Sequence, residues 1–235
     1  MKQGKLYLIP TYLSESNTPK NITMAVKEVI LSTKHYLVEN MRTARRFISS
    51  LQLGIDIASL HFSQMDKHVD SEQLSSLFLP LLKGENMGII SEAGLPAIAD
   101  PGALAVHYAH QKDIEVVCLE GGSSIILSLI SSGLNGQNFT FHGYLPIDKA
   151  QRVIKIKEME KACRMSGYTQ LFMETPYRNQ QLLKVLFEVL SKEIILYIGA
   201  DLTGTTPFSK AKKIALWKNE TILINKQPAM FAIGF

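Results

Sequence analysis

The chain has 235 residues, of which 46% are hydrophobic and 20% are charged, and its formal net charge is +4. This composition is typical of a globular protein and excludes a largely disordered chain. Two cysteines are too few for a disulfide framework or a zinc site, and they favour a reducing, cytoplasmic setting. No apolar run reaches the roughly 20 residues of a membrane span, and the run that stops at Pro10 is too short for a signal-peptide core. The positive charge mildly favours an anionic partner, without the dense basic stripe of a dedicated nucleic-acid binder.

Strand and helix patterns alternate through the first half of the chain. Short apolar runs alternate with segments whose apolar residues recur at helical spacing and end at glycines. The predicted strands cover residues 5–10, 35–39, 57–61, 87–91 and 114–118, and the predicted helices begin at residue 22 and cover 43–51, 71–83 and 103–112. Strands that alternate with helices of this length indicate parallel pairing, so we expect a doubly wound sheet.

A glycine turn at residues 120–124 marks the predicted boundary between two domains, residues 1–119 and residues 120–235. The last two predicted strands are joined by Lys226-Gln227-Pro228, which is typical of a hairpin and indicates a mixed second sheet. The fold class is therefore α/β, with a mostly parallel, doubly wound first sheet and a mixed second sheet with helices. The elements predicted beyond the boundary are helices at 123–131, 149–166 and 178–190, and strands at 139–142, 170–173, 194–199, 221–225 and 230–235.

The most constrained local chemistry lies at residues 88–102, GIISEAGLPAIADPG. Gly94 and Pro96 break a buried strand, and Asp100 is typical of a helix N-cap with Pro101 at the first helical position. Loops at the carboxyl ends of strands bind ligands in open α/β sheets, and a capped helix start offers free backbone N–H groups. The alternative is an ordinary connection between a strand and a helix.

Polar side chains follow other strands at the same predicted edge. Glu39, Glu92 and Asp100 can accept hydrogen bonds from ribose hydroxyls or an amine, and a basic helix can hold an anionic group. Arginines on a helix are also typical of a solvated face, so both interpretations stay open. The arginines concerned are Arg42, Arg45 and Arg46.

Two further turns are candidate ligand sites. The turn at residues 120–125, EGGSSI, lets a ligand approach the backbone closely, but it matches neither phosphate-binding glycine motif, so a plain interdomain turn is the alternative. Residues 173–178, METPYR, end a strand and open a helix with Thr175 as the predicted N-cap. Glu174 and Arg178 are candidates for facing an interdomain cleft, with a weak surface ion pair as the alternative.

Metal and nucleophile patterns are missing from the sequence. The six histidines form no His-Glu-x-x-His or Cys/His cluster, and no Gly-x-Ser-x-Gly elbow occurs. We therefore predict no metal site.

Three motifs, in order, resemble the tetrapyrrole methylase superfamily of S-adenosylmethionine-dependent methyltransferases, and within it the ribosomal RNA small-subunit methyltransferase I branch. Residues 91–102 are similar to the branch's Ser-Asp-Ala-Gly-Thr-Pro and Asp-Pro-Gly. Residues 132–134 and 141–146, SGL and FHGYLP, match its next signature, and residues 174–178, ETPYR, resemble its Glu-Ser-Pro-His-Arg.

The resemblance implies two α/β domains with S-adenosylmethionine in the cleft between them, usually in a homodimer. In the RNA branch the acceptor is a cytidine ribose 2′-hydroxyl, whereas other branches methylate porphyrin or corrin carbons. Arg42 and Arg178 become candidate substrate-binding residues, and the general base is open among Glu39, Glu92 and Glu174. The donor-binding residues implied are Glu92, Ala93, Gly94, Leu95, Pro96, Gly122, Ser123, Ser124, Met173, Pro228, Ala229 and Met230.

The chain departs from the branch on the acceptor side. The branch's glycine loop after the first strand is here residues 11–15, TYLSE, and its acidic-Asp-Thr-Arg is residues 39–42, ENMR. Its Pro-Gly-Pro-Ser-Ala is residues 120–124, and its Arg-Glu-Leu-Thr-Lys is residues 200–204, ADLTG, which lacks both basic residues. A small-molecule acceptor and a non-catalytic donor-binding or assembly protein are therefore the alternatives to an RNA methyltransferase.

Overall fold

The computed structural model of the chain describes residues 3–14, 16–65, 69–222, 224 and 227–235. It divides into two compact units, residues 1–123 and residues 124–235. No helix of the described residues is both long enough and apolar enough to cross a membrane.

The first unit is built on a five-stranded parallel sheet with the strand order β3-β2-β4-β1-β5. The central strand β4 is apolar and buried along its whole length, as expected of a parallel strand covered on both faces. The strands are β1 (Leu6–Ile9), β2 (His35–Val38), β3 (His61–Gln64), β4 (Met87–Ile90) and β5 (Val116–Cys118). The helices are α1 (Met24–Ser32), α2 (Met41–Ser50), α3 (Ser71–Leu77), α4 (Leu79–Leu82) and α5 (Gly102–Gln111).

Helices cover both faces of this sheet, because alternate strand residues point to opposite sides. Ile9, Val38 and Ile90 pack with α1 and α2 on one face. Leu37 and Ile89 pack with α3, α4 and α5 on the other face. The predicted doubly wound architecture is confirmed.

Two element predictions in this unit are wrong. Residues 57–61 do not form the third strand, because Asp56 caps a 3-10 turn at Ile57–Ser59 by accepting the Ala58 N–H at 3.0 Å, and β3 starts only at His61. The single helix predicted at residues 71–83 is divided into α3 and α4 at Phe78, since Pro80 cannot continue an α-helical hydrogen-bond ladder.

The second unit contains a five-stranded mixed sheet with the strand order β6-β7-β10-β8-β9. β6 and β7 are parallel, and the other neighbouring pairs are antiparallel, so the predicted mixed sheet is confirmed. The strands are β6 (Phe139–Tyr144), β7 (Thr169–Glu174), β8 (Ile195–Ala200), β9 (Phe208–Lys213) and β10 (Ala229–Gly234). The helices are α6 (Ser124–Ser132), α7 (Lys149–Ser166) and α8 (Asn179–Val189).

The predicted C-terminal hairpin is wrong. β10 pairs with β7 and β8 in the middle of the sheet, and its six apolar or small residues are all buried. Thr221 and Ile222 are in no strand, and residues 223, 225 and 226 of the predicted hairpin lie outside the described residues. The sequence analysis also missed the edge strand β9, whose Lys210 and Lys212 form ion pairs with Glu220.

Candidate functional site

The carboxyl edge of the first sheet gathers the loops that follow β1, β2, β4 and β5. In an open parallel sheet this edge is where ligands bind. The loop after β4 is attached to the chain after β1 by two backbone hydrogen bonds, from the Thr11 N–H to the Gly94 carbonyl at 2.9 Å and from the Gly94 N–H to the Tyr12 carbonyl at 3.3 Å. The Ser91 hydroxyl also donates to the Gly94 carbonyl, at 2.9 Å. The loop is therefore held in one place by its own backbone.

Gly94 is required at this contact for two reasons. Its φ is +71°, in the left-handed region that favours glycine. A Cβ there would lie 2.7 Å from Leu13 Cδ2 and 2.9 Å from the Gly122 carbonyl oxygen, and a Cβ at Gly122 would lie 2.8 Å from Leu13 Cδ1. The structure thus brings the predicted Gly94 and Gly122 segments together around Leu13.

The residues of this loop cluster suit a ligand that is held by main-chain groups. Glu92, Ala93 and Gly122 are exposed, Leu95 and Ser123 are half-buried, and Pro96 is buried. Leu13 fills the space between Gly94 and Gly122, so the part of the cluster open to a ligand is the exposed Glu92, Ala93 and Gly122. This exposed part fits the methyl donor that the sequence motifs imply.

Asp100 closes the loop in front of α5. Its Oδ1 accepts the Ala97 N–H at 2.8 Å and the Gly102 N–H at 2.7 Å. The predicted cap position is wrong by one residue, since α5 begins at Gly102 and Pro101 precedes it, but the carboxylate still binds the N–H group at the helix start. Burial raises the pKa of Asp100, and the two N–H bonds oppose that rise.

Two of the predicted acidic residues meet at one small crevice. Glu39 and Asp100 are the polar side chains there, and Glu92 lies elsewhere, exposed on the loop. The rest of the crevice lining is apolar or backbone, and the crevice is too narrow to admit a water molecule, so the two carboxyls line a closed crevice. The lining residues are Leu37, Val38, Glu39, Met65, Ile89, Ile90, Asp100, Pro101 and Gly102.

The three arginines of α2 have different surroundings. The Arg45 guanidinium lies 5.3 Å from the centre of the Phe62 ring, so this exposed side chain makes a cation–π contact. Arg42 and Arg46 are exposed, four residues apart, and neither makes an ion pair within the described part of the chain. Asn40 caps this helix through its side-chain oxygen, which accepts the Arg42 N–H at 2.9 Å. The departure from aspartate at this position therefore keeps the capping function.

In the second unit, two predicted donor segments lie side by side. Met230 of β10 is the register partner of Met173 in β7, and Ala229 is the partner of Glu174. Pro228 is exposed immediately before β10, whereas Ala229 and Met230 are buried. Ser124 is the first residue of α6 and is half-buried.

Glu174 and Arg178 form a buried clamp rather than a surface ion pair. Glu174 Oε1 accepts the Thr175 N–H at 2.7 Å and lies 2.8 Å from Arg178 Nε and 2.6 Å from Arg178 Nη2. Glu174 is 1% exposed, and its Oε2 has no hydrogen-bond partner among the described residues. Thr175 is not the helix cap, because α8 begins at Asn179 and the Thr175 carbonyl instead accepts the Arg178 N–H at 3.0 Å.

The sequence analysis did not identify Tyr177, the exposed residue of the turn that Glu174 and Arg178 hold, as a candidate functional residue. Tyr177 is 92% exposed, more than any other large apolar side chain of the described residues. Its signal was present in the motif itself, since a tyrosine stands where the branch has histidine. Across the chain as described, no three His, Cys, Asp or Glu side chains form a metal-binding group.

Comparison with known proteins identifies relatives in sequence. The chain is 30% identical over 200 residues to ribosomal RNA small subunit methyltransferase I of Vibrio cholerae, covering 85% of this chain and 65% of that protein. It is 27% identical over 203 residues to the protein of the same name from Escherichia coli O157:H7, of which it covers 67%. With the protein of that name from Buchnera aphidicola of Acyrthosiphon pisum, it shares 26% identity over 220 residues and covers 74%. The chain thus spans about two thirds of the length of these relatives. No family model matches it.

Solved structures share the fold over nearly the whole chain. The methyltransferase CobJ superposes with a TM-score of 0.62 at 14% identity, covering 98% of this chain and 94% of that one. The uroporphyrin-III-C-methyltransferase from Thermus thermophilus superposes with a TM-score of 0.54 at 16% identity, covering 99% and 94%. The sequence relatives, the ordered motifs and the fold agree. The chain is therefore similar in sequence to ribosomal RNA small subunit methyltransferase I proteins, and it shares its fold with methyltransferases of known structure.

Proposed function

We propose that the chain is an S-adenosylmethionine-dependent methyltransferase whose acceptor is ribosomal RNA, at the ribose 2′-oxygen of a cytidine. The observation that carries the proposal is the convergence of the Gly94 loop and the Gly122 turn on Leu13, in a chain similar to named methyltransferases over 85% of its length. Convergent glycine segments at the carboxyl edge of a parallel sheet are suited to a nucleoside-bearing ligand.

The donor would be held by segments of each unit. In the first unit these are Glu92–Pro96, Gly122 and Ser123, and in the second they are Ser124, Met173 and Pro228–Met230. S-adenosylmethionine supplies an electrophilic methyl group on a sulfonium. The chain's own residues would bind and orient the reactants and exclude water, which is the main contribution of protein to such a displacement.

The acceptor assignment rests on the names of the sequence relatives and on the basic surface of α2. Arg42, with Arg46 on the next turn, would contact phosphate groups. Arg178 is held by Glu174, so we propose that it positions the turn after β7 rather than binding a phosphate directly.

The general base is best sought at the first sheet. Glu39 is half-buried beside Asp100, and Glu92 is exposed on the loop, so both are more accessible to solvent than Glu174. Glu174 is almost completely buried and its Oε1 already accepts three donor groups. We therefore propose Glu39 or Glu92 as the base and Glu174 as a positioning residue.

Calorimetric titration with S-adenosylmethionine and S-adenosylhomocysteine tests the donor site. We expect binding of both ligands and its loss in Gly94→Leu, with thermal unfolding recorded for that variant because the left-handed backbone at Gly94 opposes any side chain. Gly122→Ala is the milder companion variant, since its added Cβ meets only the flexible end of Leu13. Failure of the parent chain to bind either ligand would favour the non-catalytic alternative.

Transfer of a labelled methyl group to small-subunit RNA that lacks the modification tests the acceptor. We expect the labelled methyl group to be incorporated at a cytidine ribose. Incorporation should fall in Glu39→Gln if Glu39 is the base, and in Glu92→Gln if Glu92 is the base. Incorporation into a porphyrin or corrin but not into RNA would overturn the RNA assignment and leave the methyltransferase assignment intact. The proposed cytoplasmic homodimer is tested separately, by measuring the molar mass in solution and the location of a tagged chain.

A further inference from the structure

The turn after β7 presents an exposed aromatic ring on a rigid support. One buried carboxylate oxygen, Glu174 Oε1, binds the Thr175 N–H and two nitrogens of Arg178, so both ends of the turn are fixed. Tyr177 lies between them and is 92% exposed. A ring exposed to solvent in this way adds little buried apolar area to the folded state. Because its backbone is already fixed, little conformational entropy is lost when a ligand covers it.

A second exposed tyrosine ends the neighbouring strand. Tyr144 is the last residue of β6, its register partner in β7 is Met173, and it is 55% exposed. β6 and β7 are parallel, so the turns that follow them emerge at the same edge of the sheet, from strands about 4.8 Å apart. Ile147 follows Tyr144 closely and is 77% exposed. Two tyrosines and an isoleucine are therefore displayed at one edge.

Neither tyrosine takes part in an aromatic cluster of the described residues. The ring–ring contacts of the described residues involve neither Tyr144 nor Tyr177. The nearest exposed cation in sequence is Lys149, which makes no ion pair in the part of the chain that the structure describes. Lys149 follows Tyr144 by five residues at the same end of β6. Exposed rings together with an unpaired cation are suited to unpaired nucleotides, because each base offers a π-face and each phosphate a negative charge.

We propose that Tyr177 and Tyr144 form a stacking surface for an unpaired base of the RNA acceptor, with Lys149 contacting its backbone. The identity of the ligand rests on the proposed function, since the net charge of +4 and the names of the relatives favour RNA over a neutral ligand. The surface deepens that function by assigning recognition of a single-stranded or unstacked base to the second unit.

The test measures binding of the 235-residue chain to a labelled single-stranded RNA of about 12 nucleotides, taken from small-subunit RNA. We expect Tyr177→Ala to weaken binding roughly 5- to 150-fold and Tyr144→Ala to weaken it in the same direction, because base–aromatic stacking has this strength. Tyr177→Phe keeps the ring and should retain the parent affinity. The dependence of affinity on salt concentration should not change in Tyr177→Ala, since no phosphate contact is removed.

A matched control lies at the opposite end of β7. Tyr168 immediately precedes the strand and is 42% exposed, so Tyr168→Ala removes a comparable ring from the other edge. This variant should bind RNA as the parent does. Unchanged binding of S-adenosylhomocysteine by Tyr177→Ala would show that the donor site is intact.

Several results would overturn the stacking surface. These are an unchanged RNA affinity in Tyr177→Ala, an equal loss in Tyr168→Ala, or no RNA binding by the parent chain. A Tyr177→Ala variant that loses uroporphyrin binding or changes its molar mass in solution, while RNA affinity is unchanged, would instead identify a macrocycle or a second copy as the occupant. Failure of donor binding in the parent would contradict the proposed methyltransferase without affecting the RNA-binding result.

Discussion

Asp100 satisfies two backbone N–H groups with a single carboxylate oxygen. Oδ1 binds both the Ala97 and the Gly102 N–H, and Ala97 and Ala99 beside it adopt left-handed φ values of 67° and 62°. Non-glycine residues keep such a conformation only where the surroundings impose it. The carboxylate therefore does more than cap a helix, because it holds an unfavourable loop conformation next to the crevice.

Two substitutions of Asp100 distinguish the contribution of its hydrogen-bond acceptor from that of its negative charge. Asp100→Ala should lower the free energy of unfolding by about 1–3 kcal/mol, since two N–H groups lose their acceptor. Asp100→Asn keeps an oxygen at the Oδ1 position and should cost less. Chemical denaturation of both variants measures the difference, and equal losses would show that the charge, not the acceptor, is required.

The stability difference between the parent and Asp100→Asn should depend on pH. Burial raises the pKa of Asp100 in the folded state, so the protonated carboxyl is favoured by folding and its contribution is lost as pH rises through the folded pKa. Relative to the parent, Asp100→Asn should therefore be more stable at pH 7 than at pH 3. A difference that does not vary with pH would contradict the raised pKa.

The helix α2 carries chemically identical residues in different roles. Arg45 and Arg46 are both exposed and neither makes an ion pair within the described residues, but only Arg45 lies over an aromatic ring, that of Phe62. Arg46→Ala should weaken RNA binding and lower the slope of log affinity against log salt by about one phosphate contact. Arg45→Ala should instead lower the thermal midpoint. Equal RNA-binding losses in the two variants would mean that the helix contributes only general charge.

The turn after β7 depends on a buried ion pair. Arg178→Ala leaves the Glu174 carboxylate buried without its partner, so the free energy of unfolding should fall by about 3–5 kcal/mol. The exposed Lys155–Glu158 pair, with its Nζ and Oε2 atoms 3.9 Å apart, is the control. Lys155→Ala should cost less than about 1 kcal/mol. Similar values for both variants, measured by denaturation, would contradict the clamp.

A neutral histidine is expected on β6. Burial lowers the pKa of His142, although its Nε2 lies 2.8 Å from Gln170 Oε1, a hydrogen bond that opposes the shift. The stability that the neutral ring contributes is present above the unfolded pKa of about 6.5 and is lost as pH falls through the lowered folded pKa. Titration of the ring by NMR should give a value below that of the denatured chain. A value above it would reverse the prediction.

The molecule as a whole should be stabilised by its donor. A ligand that binds only the folded state raises the free energy of unfolding by about 2.7 kcal/mol at a concentration 100 times its Kd. S-adenosylhomocysteine should therefore raise the thermal midpoint of the parent chain, and this shift should be absent in Gly94→Leu. A midpoint that is independent of ligand concentration would contradict the donor site.

Much of this architecture was predictable from local patterns. The helix α7 begins and ends at the predicted residues, because Asp148 caps it and Gly167 ends it with a φ of 71°. The central position of β10 was not predictable, since pairing between distant strands leaves no local signal. Likewise, the buried face of α7 includes Arg152 and Glu160, whose charge predicts exposure.

The sequence predicted which segments form the candidate site, but not how these segments pack against one another. Motif order located Gly94, Gly122 and Met173, whereas only the structure showed that Leu13 fills the space between the two glycines. Glu174 and Arg178 were identified as polar residues of a motif. Their burial, and with it the exposure of Tyr177, follows from how the turn folds back on the carboxylate.

The order of strands in the second sheet has a consequence for biosynthesis. β7 and β8 leave the ribosome before β10, yet the structure pairs β10 between them. Until residues 229–234 are available, the facing edges of β7 and β8 have no strand to pair with, and unpaired edges are prone to associate with other chains. Translation must therefore proceed through β10 before this sheet can close, whereas the first sheet has all five of its strands by residue 118.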